Sequence, residues 1–328
     1  MKELKIRENE AGQRFDKYLA KLLNEAPKSF FYKMLRKKNI TLNGKKAQGN
    51  EMLCTGDVVK LFLSDETFEK FSSVKQTSQA RAQLQVIYED SDVLFINKPA
   101  GMLSQPSGDG TPSLVEYLTG YLLDTGALTE ADLTTFHPGV CNRLDRNTSG
   151  LVAAGKSLTG LQDLSALFHN RNMDKFYLCL VAGVIKNEKY IKGYLHKNEK
   201  CNKVIISADK REDSLPIETR YRPVDDNGKY TLLEVELITG RTHQIRAHLA
   251  SQGHPVAGDQ KYGDKKTNQY FRDKYQLKYQ LLHSRRIVFS EECGRLEALK
   301  GRTITAPVPG LFGQVLQGEK IDITRRNK

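Results

Sequence analysis

Apolar positions near the start of the chain recur at helical spacing. Phe15, Leu19, Leu22 and Leu23 predict one short helix, and Pro27 breaks it. A second amphipathic stretch, Ser29 to Lys38, turns Phe30, Phe31, Met34 and Leu35 inward and Lys33, Arg36, Lys37 and Lys38 outward. The period then changes. Ile40–Leu42 and Val58–Phe62 read as short strands, with Asn43-Gly44 as a turn between them. From Ser64 to Gln83 no hydrophobic period is evident, and the Ser/Gln/Lys-rich composition predicts a polar tether, mobile in isolation. Strand patterns resume at Leu84–Tyr88 and Val93–Ile96, and another apolar run occupies Leu151–Ala154. Ile245 and Leu249, four apart, predict the inner face of a helix from Thr242 to about Ser251, with Gly253 as its C-cap. Thr303–Gly318 fits a last strand and short helix, and Arg325–Lys328 reads as a frayed end. Periodicity alone therefore gives a strand-rich α+β chain.

Length and charge sharpen that picture. The 328 residues suit one large domain with a smaller appendage. The net charge of +12 points to a polyanionic partner, nucleic acid or an acidic membrane surface. Residues 1–60 hold fourteen Lys and Arg against seven Asp and Glu, so more than half of the excess sits there. No apolar run approaches the eighteen or so residues that span a bilayer, and the N-terminus has no signal-peptide hydrophobic region. A cytoplasmic protein is expected. Five scattered cysteines without a Cys-x-x-Cys pair argue against a disulfide framework or zinc cluster, and are expected to be reduced and mostly buried.

The candidate chemistry centres on Asn142 to Val152. Here Asp145 stands between Arg143 and Arg146, ahead of the tight polar turn Asn147–Gly150. Neighbouring positive charge favours the charged form of a carboxylate, and a charge on a loop at the mouth of a strand is where chemistry is often placed. The plainer reading is that Asp145 caps its own turn and pairs with the flanking arginines. Tyr177 alone reads as a core aromatic, Arg241 and Arg246 as solvated, and Lys261–Gly263 as a structural turn. His243, His248 and His254 lack the i,i+4 spacing of a zinc pair, so no metal site is expected.

Taken together the motifs resemble two known families. The two basic helices with Arg36-Lys37-Lys38-Asn39-Ile40-Thr41-Leu42-Asn43-Gly44-Lys45 and Gly56-Asp57-Val58-Val59 resemble the RNA-binding domain first seen in the fourth protein of the small ribosomal subunit. Asn97-Lys98-Pro99-Ala100-Gly101, Asn142–Val152, Lys175–Gly183, Thr239–Leu249 with Gly253-His254-Pro255 and Gly258–Gly263, and Leu281–Ser284 resemble, in order, the motifs of RluA-type large-subunit ribosomal RNA pseudouridine synthases. The usual histidine of the catalytic motif is Asn142 here.

The second resemblance implies an α+β catalytic domain around a mixed, largely antiparallel sheet. It implies a uridine-to-pseudouridine isomerase, with no cofactor, since nothing is oxidised or lost. Asp145 then matches the catalytic carboxylate, Arg246 the arginine that pairs with it, and Tyr177 the tyrosine beneath the base. Arg143 matches the residue that fills the gap left by a flipped nucleotide, a guanidinium recovering part of the lost stacking. Ile245 is expected as an apolar wall, Arg241 as a substrate contact, and Lys98 as a phosphate or structural contact. The first resemblance implies phosphate contacts by Lys33, Arg36, Lys37, Lys38 and Lys45. The expected organisation is a basic RNA-binding unit at 1–63, a linker at 64–83, the catalytic domain at 84–318 and a basic tail at 319–328. A monomer acting on large-subunit ribosomal RNA, without a membrane partner, is the leading expectation. Alternatives are a catalytically silent ribosome-assembly protein, or the same chemistry on transfer RNA.

Overall fold

The computed structural model describes residues 1–72, 80, 83–198 and 203–325. The basic N-terminal unit is built from β1 (Lys2–Lys5), α1 (Phe15–Leu22), α2 (Lys28–Arg36), β2 (Ile40–Leu42), β3 (Lys45–Lys46) and β4 (Val58–Leu61). Asn43 and Gly44, both with positive φ, turn β2 back onto β3, and β4 pairs with the other edge of β2. The outer strand β1 was not evident in the sequence, because Lys2, Glu3 and Lys5 leave Leu4 as its one apolar side chain. Phe15, Leu19, Phe31, Leu35, Ile40 and Val59 fill the small core, as the helical spacing predicts.

The stretch expected to be a structureless tether starts as a helix, α3 (Asp65–Phe71). Ser64 caps it by accepting the Thr67 N–H, and Phe68 and Phe71, three apart, return to the N-terminal core. The Phe71 ring lies 4.7 Å from that of Phe30. Two aromatics in a polar run are too sparse to show as a period, but suffice for a seven-residue helix with a surface to bind. Residues 73–79 and 81–82 of the expected linker lie outside the described residues.

The second unit is one large sheet. Its strands are β5 (Val86–Glu89), β6 (Val93–Lys98), β7 (Gly139–Val140), β8 (Ser149–Gly155), β9 (Met173–Ala182), β10 (Lys189–Asn198), β11 (Lys203–Ser207), β12 (Leu215–Asp226), β13 (Tyr230–Leu237), β14 (Leu282–Phe289) and β15 (Thr303–Thr305). They run in the order β11-β10-β12-β13-β9-β14-β8-β6-β5, with β15 beside β14 and β7 beside β8. Among the described residues every pairing of this sheet is antiparallel except that of β8 with β14, where His283 meets Ser149 and Ser284 meets Gly150. That seam lies between the sixth and seventh strands of this order.

Both faces are covered. Leu114, Leu118 and Leu122 of α4 (Leu114–Asp124) and Ile245 and Leu249 of α6 (Gln244–Ser251) pack with Ile96, Val152, Cys179 and Val235 on one side. On the other, Leu164 and Leu167 of α5 (Leu158–Asn170) meet Phe95 and Ile287. There too, α7 (Lys265–Tyr275) and α8 (Gly310–Gly318) bury Phe271, Phe312 and Val315 against Leu178 and Leu232. With two covered faces, β6 and β8 are buried at every residue and read as continuous rather than alternating runs.

Two further expectations change. The chain end is held to Arg325: Ile321 is buried, Glu319 accepts hydrogen bonds from Tyr270, Tyr275 and Lys274, and Arg325 pairs with Asp225 at 2.9 Å. Only Arg326–Lys328 lie outside the described residues there. The N-terminal unit also docks on the sheet domain. Arg7 pairs with Asp132 at 2.6 Å, and buried Glu10 accepts the Thr135 hydroxyl at 2.6 Å. Of the cysteines, Cys179 and Cys293 are buried, Cys141 is half-buried, Cys54 is exposed, and Cys201 lies outside the described residues.

Candidate active site

The loop before β8 is held from several directions. Leu144 is buried, and Ser104 Oγ both donates to its carbonyl at 2.9 Å and accepts its N–H at 3.1 Å. Thr148 N–H closes the turn onto the Asp145 carbonyl at 3.0 Å, and Gln280 Nε2 reaches Thr148 Oγ1 at 3.0 Å. Asn142, where a histidine was expected from the resemblance, accepts the Ala153 N–H on Oδ1 at 2.8 Å and donates Nδ2 to the Leu151 carbonyl at 3.1 Å. It ties the entry of the loop to the strand that leaves it. Gly150 has φ +114, and a Cβ there would overlap the Ser284 backbone. The close approach of β8 to β14 requires glycine at this point.

This loop projects Asp145 into a cavity of about 1020 Å³. Its partner is not a flanking arginine. Arg146 Nε donates to the Gly101 carbonyl at 3.1 Å, and Arg143, exposed at the rim, reaches Gln105 at 3.4 Å. Arg246, one hundred and one residues away, donates Nη1 to Asp145 Oδ2 at 2.7 Å. The reading of Asp145 as a self-contained turn residue is thereby overturned, as is that of Arg246 as solvated, since its side chain is 8% exposed.

Arg246 is fixed by Asp259, which is fully buried and takes Nε at 2.7 Å and Nη2 at 2.9 Å. Burial alone would lower the guanidinium pKa, but Asp259 and Asp145 outweigh it and hold it above its ordinary value. Asp259 also accepts the Lys261 and Tyr262 N–H groups, and the Tyr262 ring stands 5.2 Å from the guanidinium. The 261–263 turn is thus part of the support of the site.

Tyr177 projects from β9, next to Ser284 across the strands, and lines the same cavity. Burial, against a Ser284 hydrogen bond and with the Asp145 charge adding to it, pushes its pKa up to about 12. The phenol is neutral near pH 7. Ile245, 4% exposed, forms part of the wall, and Arg241 lies exposed at the mouth.

Lys98 stands apart. It is fully buried and donates Nζ to the carbonyls of Pro99 at 3.0 Å, Met102 at 2.8 Å and Arg146 at 3.2 Å. Burial pulls its pKa down to about 7, with Asp145 opposing. It pins the back of the Asp145 loop, so of the phosphate or structural contact expected of it the structure shows the structural one. The N-terminal cations fare differently: Lys33, Arg36, Lys37, Lys38 and Lys45 are all exposed.

Sequence reasoning left Asp259, Ser104, Gln280, Tyr262 and His243 without site roles. The signal available for Asp259 was its place in Gly258-Asp259-Gln260-Lys261-Tyr262-Gly263, thirteen residues past Arg246.

Comparison with known proteins bears on the family of the chain. Residues 92–251 match the RNA pseudouridylate synthase family, and residues 13–59 match the S4 domain. The chain is 33% identical over 269 residues, 81% of each protein, to the ribosomal large subunit pseudouridine synthase C of Vibrio vulnificus. It is 30% identical over 327 residues, 97% of this chain and 96% of the relative, to the protein of the same name from Salmonella typhimurium. Among solved structures, human RNA pseudouridylate synthase domain containing 4 superposes with a TM-score of 0.58 at 19% identity, covering 73% of this chain and 94% of that one. The identities over most of the chain decide the matter: it belongs to the RNA pseudouridylate synthase family, as an RNA pseudouridine synthase carrying an N-terminal S4 domain.

Proposed function

We propose that this RNA pseudouridine synthase modifies uridine in large-subunit ribosomal RNA, with Asp145 as the reacting carboxylate. The observation that carries the site reading is the meeting of Asp145, Arg246 and Tyr177 in one cavity from three separate elements. The relatives named ribosomal large subunit pseudouridine synthase C, together with the basic S4 unit, support the choice of RNA. A protein acting on that RNA would work in the cytoplasm.

The chemistry follows from the groups available. Isomerisation breaks the bond between N1 of uracil and C1′ of the ribose, turns the base and joins C5 to C1′, with the proton lost from C5 matched by one gained at N1. A carboxylate beside the sugar serves either by attack on C1′ or by removing a sugar proton. Both routes need it oriented and shielded from water, which would otherwise take the place of the returning base. Arg246 orients Asp145, Tyr177 and Ile245 form walls around the base, and Arg143 at the rim is placed to occupy the gap in the RNA. Arg241 meets the backbone at the mouth. Lys33, Arg36, Lys37, Lys38 and Lys45 supply phosphate contacts that set affinity and its salt dependence rather than sequence choice.

Carbodiimide mapping of ribosomal RNA from a strain lacking the gene, complemented with wild type or Asp145→Asn, tests both parts. Wild type is expected to restore pseudouridine at defined large-subunit positions, and Asp145→Asn to restore none. Restoration by Asp145→Asn would remove the catalytic assignment. Changes confined to transfer RNA would remove the substrate assignment.

A further inference from the structure

His243 occupies the N-cap of α6 with φ +56 and ψ 13, a left-handed backbone in a residue that has a Cβ. Such a backbone persists when its surroundings hold it, and it is concentrated at functional sites. The holder is Gln244, which is buried. Its Oε1 accepts the Arg241 N–H at 3.0 Å, and its Nε2 donates to the Glu218 carbonyl at 3.0 Å and to Thr219 Oγ1 at 3.1 Å.

The imidazole is oriented by a second fixed group. Its Nδ1 lies 3.0 Å from the Tyr262 hydroxyl, and that hydroxyl already accepts the Val204 N–H at 2.9 Å. The phenolic proton is then best used on Nδ1, which leaves the proton of a neutral ring on Nε2. Burial, with Arg246 and Lys261 adding to it and Asp145 and Asp259 opposing, lowers the His243 pKa and favours the neutral ring. Nε2 faces Asp145 Oδ2 at 4.0 Å. That is too far for a direct hydrogen bond. Nε2–H is therefore open to a substrate group brought up beside the carboxylate.

We propose that His243 is a further substrate-contacting residue, whose Nε2–H donates to a uracil carbonyl oxygen of the flipped nucleotide held against Asp145. When the C1′–N1 bond breaks, its electron pair stays on the base and spreads onto the carbonyl oxygens. A fixed neutral donor at the O2 carbonyl, beside N1, stabilises that charge as it develops. The ribose 2′-hydroxyl is the other oxygen of suitable chemistry near the reacting carbon. This role rests on Asp145 being the reacting carboxylate.

The test is single-turnover release of tritium from C5 of a labelled target uridine in full-length enzyme, for wild type, His243→Ala, His243→Gln and Asp145→Asn. RNA is used with uridine, 2-thiouridine or 2′-O-methyluridine at the target, and RNA affinity is measured alongside. His243→Ala is expected to slow the step by about 100-fold with RNA affinity unchanged, and His243→Gln, which keeps a donor, to regain much of the rate. The slowing caused by 2-thio substitution in wild type should vanish in His243→Ala. Full activity of His243→Ala, or an undiminished 2-thio effect in it, would overturn the proposal. Loss of the 2′-O-methyl effect instead would overturn the carbonyl assignment in favour of the ribose. An active Asp145→Asn enzyme would strike the underlying site reading, whereas an inactive one beside a fully active His243→Ala would strike the role of His243 alone.

Discussion

Arg246 offers Nη1 to Asp145 at 2.7 Å while its Nε and Nη2 are both committed to Asp259. One guanidinium thus transmits the position of a fully buried acid to an acid at the cavity surface. Removing one member of a buried pair leaves a buried charge without its partner, which typically costs about 3–5 kcal/mol. Asp259→Asn should therefore lose stability in denaturant titration and turnover together. Burial raises the Asp259 pKa, but Arg246 and the backbone donors win and hold it below the ordinary 3.8. Its contribution is accordingly present above about pH 4 and lost as the pH falls further. The difference in stability between wild type and Asp259→Asn should narrow on acidification, and a constant difference down to about pH 2 would contradict the pairing.

Gly150→Ala should be among the most damaging small substitutions in the protein. It places a methyl group on the Ser284 backbone and asks a residue with a Cβ to hold φ +114. Strain of that kind alone costs about 1–3 kcal/mol, and the overlap adds to it. A thermal melt within a degree of wild type would show that β8 and β14 separate more readily than described.

The exposed cations of α2 and its C-terminal turn should act on binding and leave the chemical step alone. Replacing Lys33, Arg36, Lys37 and Lys38 by Gln should flatten the plot of log affinity against log salt by about 0.7–0.9 for each phosphate no longer neutralised. Single-turnover rates at saturating RNA should not change. A collapse of that rate would mean that the S4 unit takes part in building the active site.

Tyr177, held up to about 12, keeps its proton through the range in which the enzyme can be assayed. The rate of the chemical step should show no limb from phenolate formation between about pH 7 and 10. Tyr177→Phe should leave RNA affinity nearly unchanged and slow the step, since the ring that walls the cavity remains. The same raised value makes the neutral phenol a stabilising feature that weakens as the pH climbs from about 10 towards 12.

Much of the site could be read in the sequence because it lies in short motifs. Asp145, Tyr177 and Arg246 each sit in such a motif, and the structure brings all three to one cavity. Lys98 shows the limit of that reading: the sequence leaves a phosphate or a structural contact open to it, and only three-dimensional packing reveals three carbonyls around its ammonium. The partner of Asp145 was legible through the family resemblance alone, because Arg143 and Arg146 crowd it in sequence while Arg246 meets it in space. In the fold, the amphipathic α1 and α2 were legible from period. The charged edge strand β1 and helix α3, with two aromatics in a polar run, were not.

The parallel seam of β8 and β14 joins Ser149 and Gly150 to His283 and Ser284, across some one hundred and thirty intervening residues. Closing so distant a pair is slow for a polypeptide. His283 and Ser284 must therefore have been translated before the Asp145 loop gains its floor. Until then a nascent chain can hold every residue of its S4 unit while the cavity around Asp145 still lacks one wall.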